Sequence, residues 1–362
     1  MASLRGVSWL RPTLGMVAAL VLGASIAAPA AAKSPEDNHS DRSLTVMTRN
    51  LDAGTDFGYI FSAGSVPDLL AGAAKTYTEV LASNPAARAA RVADQIATSK
   101  PDLVALQEVS VWRTGPLFDP APAVTKTIDQ LQLLLDALAA RHLGYSAVVV
   151  VQNLDAEIPA PALGFDVRFT DNDAILVRTD ESPGHLRVSN PQSGQFANFL
   201  TVPTAVGPVA VPRSWESVDV TARGRSARFI GTHLEAFDVG VQAAQAHEIF
   251  TAPANTRMPV ILAGDMNSGP GTTMAAYSTL LADGFSDTWT ATHEAPGFTW
   301  PLFLEDPTVS FPAGPVQRID MVLTRGGVVP EEDSRVGLSP SRSGLFGSDH
   351  VGVVSELRVS SR

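Results

Sequence analysis

The feature that most restricts the folds open to this chain is the way its short apolar runs end. Residues 259–263 (PVILA) form a continuous apolar run that reads as a buried strand, followed at once by Gly264-Asp265-Met266-Asn267. Alternation sends Asp265 and Asn267 to one side where that strand ends. Taken alone, Asp-x-Asn also reads as a turn whose side chains bond their own backbone. The same ending recurs, however. Residues 44–51 (LTVMTRNL) deliver Asn50, residues 102–109 (DLVALQEV) deliver Glu108, and residues 228–234 (RFIGTHL) deliver His233. Residues 317–324 (QRIDMVLT) carry Asp320 inside a strand-like stretch, where an unpaired carboxylate is costly to bury. A cationic partner is therefore expected, and His350 of Ser348-Asp349-His350 is the candidate. Arg49 points away from Asn50 by alternation and reads as a structural partner.

The rest of the pattern interleaves helices with strands. Helical periodicity covers residues 66–82, 86–98, 127–140 and 241–250, while 145–152, 173–178 and 215–220 read as strands. Arg223-Gly224 suits a hairpin turn leading back to His233. Residues 1–32 hold Arg5, Arg11, an apolar stretch and a final Ala30-Ala31-Ala32, the pattern of a secretory signal peptide. The alternative, a retained N-terminal anchor, needs roughly twenty apolar residues, and this stretch is shorter. Residues 33–42 form a polar leader, and residues 43–362 read as one domain without repeats.

Removing two arginines leaves 24 basic residues against 37 acids, so the formal charge moves from −11 to −13. Such acidity argues against a sequence-independent grip on DNA, which needs clustered Lys and Arg, although a metal-lined cleft can attract locally. With no cysteine there is neither disulfide nor thiolate metal site.

In this order, Asn50, Glu108, His233, Asp265 with Asn267, Asp320, and Asp349 with His350 resemble the endonuclease/exonuclease/phosphatase superfamily, from about Leu44 to Leu357. The resemblance implies an α+β, four-layer αββα sandwich: two packed mixed β-sheets flanked by helices, with the site at one end. It implies a phosphoesterase, with hydrolysis of a diester favoured over a monoester. Such a reaction needs positive charge on the non-bridging oxygens, an oriented water and help for the leaving group. Glu108 and Asn50 are hard oxygen donors of the kind Mg²⁺ prefers, and Mn²⁺ or Ca²⁺ would also suit them. By resemblance Glu108 is the principal metal ligand, and Asp349 completes the metal site or the layer of residues that supports it. Asp265 would orient or deprotonate the attacking water, and Asn267 would hold that water or a phosphate oxygen. His350, paired with Asp320, would bind or protonate the phosphate, and His233 would face it. Whether Asp265 or the His350–Asp320 pair is the base stays open. Asn172 and Asp173 are assigned either to the cleft or to a strand-initiating turn.

The substrate is less legible, because function on this fold lives in the loops. Nucleic acid, a phospholipid head group or an inositol phosphate all fit, and the enzyme would act as a secreted monomer. Two aromatic segments, residues 57–61 (FGYIF) and 298–304 (FTWPLFL), either dip into a membrane, as a sphingomyelinase-like phospholipase C would require, or pack the insertions onto the body. Arg223, Arg225 and Arg228 would serve a nuclease or a solvated hairpin. A non-catalytic secreted binding module is the reading outside enzymes.

Overall fold

Both faces of the central strands are apolar, and this is why the chain stacks in four layers. The computed structural model describes residues 43–180, 186–303 and 314–360. Strand β1 (Ser43–Asn50) runs parallel to β2 (Leu103–Gln107). From β2, Leu103 and Ala105 enter a core shared by two sheets, whereas Val104 and Leu106 enter a second core beneath helices. A period of two with no polar face is what the sequence shows as an unbroken apolar run.

The first sheet runs β15 (Val328–Val336), β16 (Gly352–Val359), β1, β2, β6 (Phe165–Arg178), β3 (Val111–Pro116), β4 (Thr125–Asp129), and β5 (Tyr145–Ala160) also pairs with β6. The second runs β13 (Ser286–Asp287), β14 (Asp320–Arg325), β12 (Val260–Asp265), β11 (Arg225–His233), β10 (Ser214–Ala222), β7 (Leu186–Gln195). A small hairpin joins β8 (Leu200–Thr204) to β9 (Gly207–Val211). Each large sheet is mixed: β1–β2 and β11–β12 are parallel, the other pairs antiparallel.

Between the sheets, Val46, Ala105 and Ile175 of the first meet Phe229, Ile261 and Val322 of the second. Outside the first sheet, α3 (Pro85–Ser99) and α4 (Gln130–Ala139) bury Val92, Ile96, Leu134 and Leu138 against Met47 and Leu176. Outside the second, α5 (Val239–Thr251) and α6 (Ala276–Ala282) bury Ile249 and Leu280 against Leu262 and Leu323. Fully burying each such side chain is worth roughly 1.5–3 kcal/mol. The remaining helices are α1 (Gly58–Phe61), α2 (Val66–Ala82) and α7 (Thr288–Thr292). None of the helices among the described residues is long and apolar enough to cross a membrane.

Several expected elements differ in extent. The helix expected from residue 127 begins at Gln130, because Thr125, Lys126, Ile128 and Asp129 pair as a strand with β3 and Asp129 caps the helix by accepting from Gln132 N–H at 3.2 Å. β5 and β6 are longer than expected, their outer halves pairing with each other and burying Ala160, Val167 and Phe169 in a further core against α2. The turn at Arg223-Gly224 is there, with φ of 50° and 78°, the left-handed pair that a two-residue hairpin demands. Residues 1–42, which include the expected signal segment and leader, lie outside the described residues, as does Leu304.

Candidate active site

Parity delivers the polar groups to one place. Continuing the alternation that sends Phe229, Ile261 and Val322 inward, His233, Asp265 and Asp320 fall on the same face. Register sets them side by side, His233 opposite Asp265 and Asp265 opposite Asp320. Asn50 ends β1 on the facing sheet, and Glu108 directly follows β2. The inter-sheet layer is thus apolar through its middle and ionisable at this end.

The two sheets are tied there by Asn50, whose Nδ2 donates to Glu108 Oε1 at 2.9 Å and to Asp265 Oδ2 at 3.1 Å. Its amide oxygen accepts from Asp52 N–H at 2.8 Å, so Asn50 clamps carboxylates from both sheets. Glu108 Oε2 accepts from Ala53 N–H at 2.9 Å. Backbone φ is positive at Asp52 (59°), Glu108 (55°) and Asn267 (47°). Three non-glycine residues in this region, each just past a strand, mark geometry that the surroundings enforce at a cost of order 1 kcal/mol or more apiece.

His350 Nδ1 lies 2.8 Å from Asp320 Oδ2 and 3.7 Å from Asp265 Oδ2, and its Nε2 is 3.9 Å from Asp349 Oδ2. Burial by itself would lower the imidazole pKa, but Asp320, Asp349 and Asp265 together outweigh burial and hold it well above its ordinary value. Burial and Asp320 push Asp265 up to about 7. Burial, Asp349 and Asp52 push Glu108 up to about 7, and burial pushes Asp349 up to about 6.

His233 has other company. Arg213 Nη1 lies 3.0 Å from its Nδ1, while Asn267 Nδ2 and Asp265 Oδ2 lie 3.0 and 3.6 Å from its Nε2. Burial, Arg213 and His350 all lower its pKa well below the ordinary value, so the ring is neutral. Asn267 N–H donates to Asp265 Oδ1 at 2.9 Å, so the turn reading and the site reading of Asp-x-Asn coexist.

All the expected site residues therefore converge. Arg49 takes its structural place, donating to His350 O at 2.7 Å and to Gln95. Asn172 does not offer its side chain to the cleft but donates to Val109 O at 2.9 Å, directly behind Glu108. Asp173 is wholly buried, bridged to Asp171 by Asn153. Sequence reading missed Arg213, the buried Asp52–Arg88 pair at 2.7 Å, and Trp300, whose Nε1 donates to Asp349 Oδ2 at 3.0 Å. Asp52 could have been suspected two residues past Asn50; Arg213, just ahead of β10, carries no signal. Of the hairpin arginines, Arg228 pairs with Asp219 at 2.7 Å.

Donor chemistry fits a divalent cation. A charged His350 cannot ligate, but Asp265 and Asp320 beside it each offer a carboxylate oxygen within 4.8 Å of the other, and Asp320 Oδ1 is buried with no hydrogen-bond partner. Burial first and neighbouring carboxylates second hold Glu108 and Asp265 high, and a bound cation would favour their charged forms.

The model of the Endonuclease/Exonuclease/phosphatase family matches residues 79–350. A family protein from Bacteroides thetaiotaomicron is similar in structure over 88% of this chain and 98% of its own, with 16% identity and a TM-score of 0.56. D. rerio TDP2 complexed with single strand DNA product is similar over 87% and 99%, with 16% identity and a TM-score of 0.53. Bacteroides thetaiotaomicron mannosyl-6-phosphatase is similar over 87% and 99%, with 17% identity and a TM-score of 0.53. At these identities the likeness is one of fold. No protein of curated function matches the chain.

Proposed function

This chain belongs to the endonuclease/exonuclease/phosphatase family, and from that premise we propose that it is a secreted, Mg²⁺-dependent phosphoesterase acting on a phosphodiester. One observation carries the reading: Asn50 joins Glu108 of one sheet to Asp265 of the other, beside a His350 that three carboxylates keep protonated. Secretion rests on the N-terminal sequence pattern alone.

Glu108 and Asp349 would hold the cation, with Asp265 and Asp320 within reach of a second position. When bound, the cation supplies positive charge to a phosphate oxygen and lowers the pKa of water. His350, charged and fixed through Nδ1 by Asp320, presents Nε2 as a donor to a phosphoryl oxygen whose charge grows during attack. Asp265 has a pKa close to neutrality, which suits a group that takes a proton from water. Asn267 is tied to Asp265 and His233, so it orients rather than ionises. His233, neutral, can give a hydrogen bond without adding charge.

The test is hydrolysis of bis-p-nitrophenyl phosphate, plasmid DNA, RNA, sphingomyelin liposomes and an inositol phosphate, with Mg²⁺ or EDTA. Mg²⁺-dependent turnover of one of these, abolished in Asp265→Asn, is expected. Silence across the panel in folded, Mg²⁺-binding protein would overturn the reading.

A further inference from the structure

His233 has a donor at each of its nitrogens, yet a neutral imidazole accepts at only one. Arg213 Nη1 lies 3.0 Å from Nδ1, and Asn267 Nδ2 lies 3.0 Å from Nε2. A guanidinium has N–H groups and no acceptor, so Arg213 can only donate. Asn267 Nδ2 is a donor too, and already gives one hydrogen bond to Leu234 O at 2.9 Å. One ring nitrogen must therefore carry its proton against a donor. Charge decides which. A proton on Nδ1 would face a cation, whereas a proton on Nε2 faces a neutral amide and, 3.6 Å away, Asp265 Oδ2.

The place of Arg213 is fixed by the backbone on both sides. Trp215 stands opposite Thr232 in the β10–β11 register, and Ser214 O accepts from Thr232 Oγ1 at 2.9 Å. The residue after Arg213 is thus tied to the residue before His233. Ser214 Oγ also donates to Asn153 Oδ1 at 2.6 Å, and Arg213 O accepts from Phe196 N–H at 3.0 Å. The guanidinium has Asp171 as its ion-pair partner, at 3.9 Å, and Asn153 Nδ2 joins Asp171 to Asp173. This buried polar group, otherwise without a part in the chemistry, stands beside the arginine that meets His233.

Resting on the phosphoesterase reading for its consequence, we propose that Arg213 is a positioning residue that holds His233 in the tautomer protonated at Nε2. That N–H and the second N–H of Asn267 Nδ2 then meet beside Asp265, and a phosphoryl oxygen between them would accept from both. Without Arg213, Asn267 is the remaining donor against the ring and draws the proton to Nδ1. Nε2 then becomes an acceptor and repels the same oxygen.

The tautomer is read from ¹⁵N–¹H correlation spectra of the imidazoles in the full chain at about pH 8.5, above the ordinary imidazole range, with His233→Gln identifying the signal. The wild type should be protonated at Nε2 and bare at Nδ1. Arg213→Met should exchange the two nitrogens, and Arg213→Lys, which keeps a cationic donor, should restore the wild-type pattern. A merely structural role would not exchange them. With bis-p-nitrophenyl phosphate, kcat should fall about tenfold in Arg213→Met while KM moves less, and the lysine variant should recover most of the loss. A wild type protonated at Nδ1, or an Arg213→Met ring still protonated at Nε2, overturns the proposal; the wild-type spectrum decides even if Arg213→Met does not fold. Failure of the parent reading is distinct: no ester is then turned over, and the ring spectrum still upholds or overturns the tautomer.

Discussion

His350 and His233 stand at the same end of the sandwich, 4% and 2% exposed, and both approach Asp265 Oδ2, at 3.7 and 3.6 Å. Their protonation is nonetheless opposite. Asp320, Asp349 and Asp265 outweigh burial at His350 and keep it charged, whereas burial, with Arg213 added to it, keeps His233 neutral. Burial, near-equal for both, cannot account for the difference; the sign of the nearest charge does. One half of the site thus holds a charged imidazole and the other a neutral one, from one residue type.

The most direct way to break this comparison is to remove the charged member. His350→Ala should lower turnover by roughly 10²- to 10⁴-fold while Mg²⁺ affinity, followed by calorimetry, changes little. Near-full activity would show that the charged histidine does not serve the reaction. Converting one histidine into the other's state is subtler. Asp320→Asn should bring the His350 pKa down, seen as a neutral ring in ¹⁵N spectra at pH 7, with a loss of roughly 10- to 10²-fold in turnover. If the ring stays protonated, Asp349 and Asp265 suffice without Asp320.

Arg213→Met tests the other half. The His233 pKa should rise toward the ordinary value, with a loss of about tenfold in turnover. Unchanged ¹⁵N shifts of His233 would assign its low pKa to burial alone.

The smallest effect expected concerns stability of the metal-free protein. Glu108 has a folded pKa raised to about 7, so its stabilising contribution is present below the unfolded value near 4.5 and is lost as pH rises through about 7. Relative to wild type, Glu108→Gln should therefore gain about 1 kcal/mol between pH 4.5 and 7.5, after discounting for solvent screening of a half-buried group. Denaturant melts at the two pH values would measure it, and a gain that ran the other way would place the carboxyl in a more favourable field than its neighbours imply.

Much of the architecture is legible along the chain. PVILA alternates between two cores, Ile261 and Ala263 inward and Val260 and Leu262 outward, which leaves no polar face and explains the unbroken run. Since parity continues past the core, identifying a strand also says which way its terminal Asn50, His233 or Asp265 faces. The helix start at Gln130 was obscured because Thr127 to Asp129 continue a helical period although their segment pairs with β3.

By itself, then, the sequence determined the central strands that end at the site, the faces of their terminal residues, the hairpin turn and the set of groups available for chemistry, because these depend on local backbone geometry and period. Only the tertiary structure decided that Arg213 rather than a carboxylate meets His233 Nδ1, that Trp300 holds Asp349, and that Phe61 meets Phe237. Those facts rest on distances between segments far apart in the chain. A histidine's charge follows such distances, and no pattern within one strand encodes them.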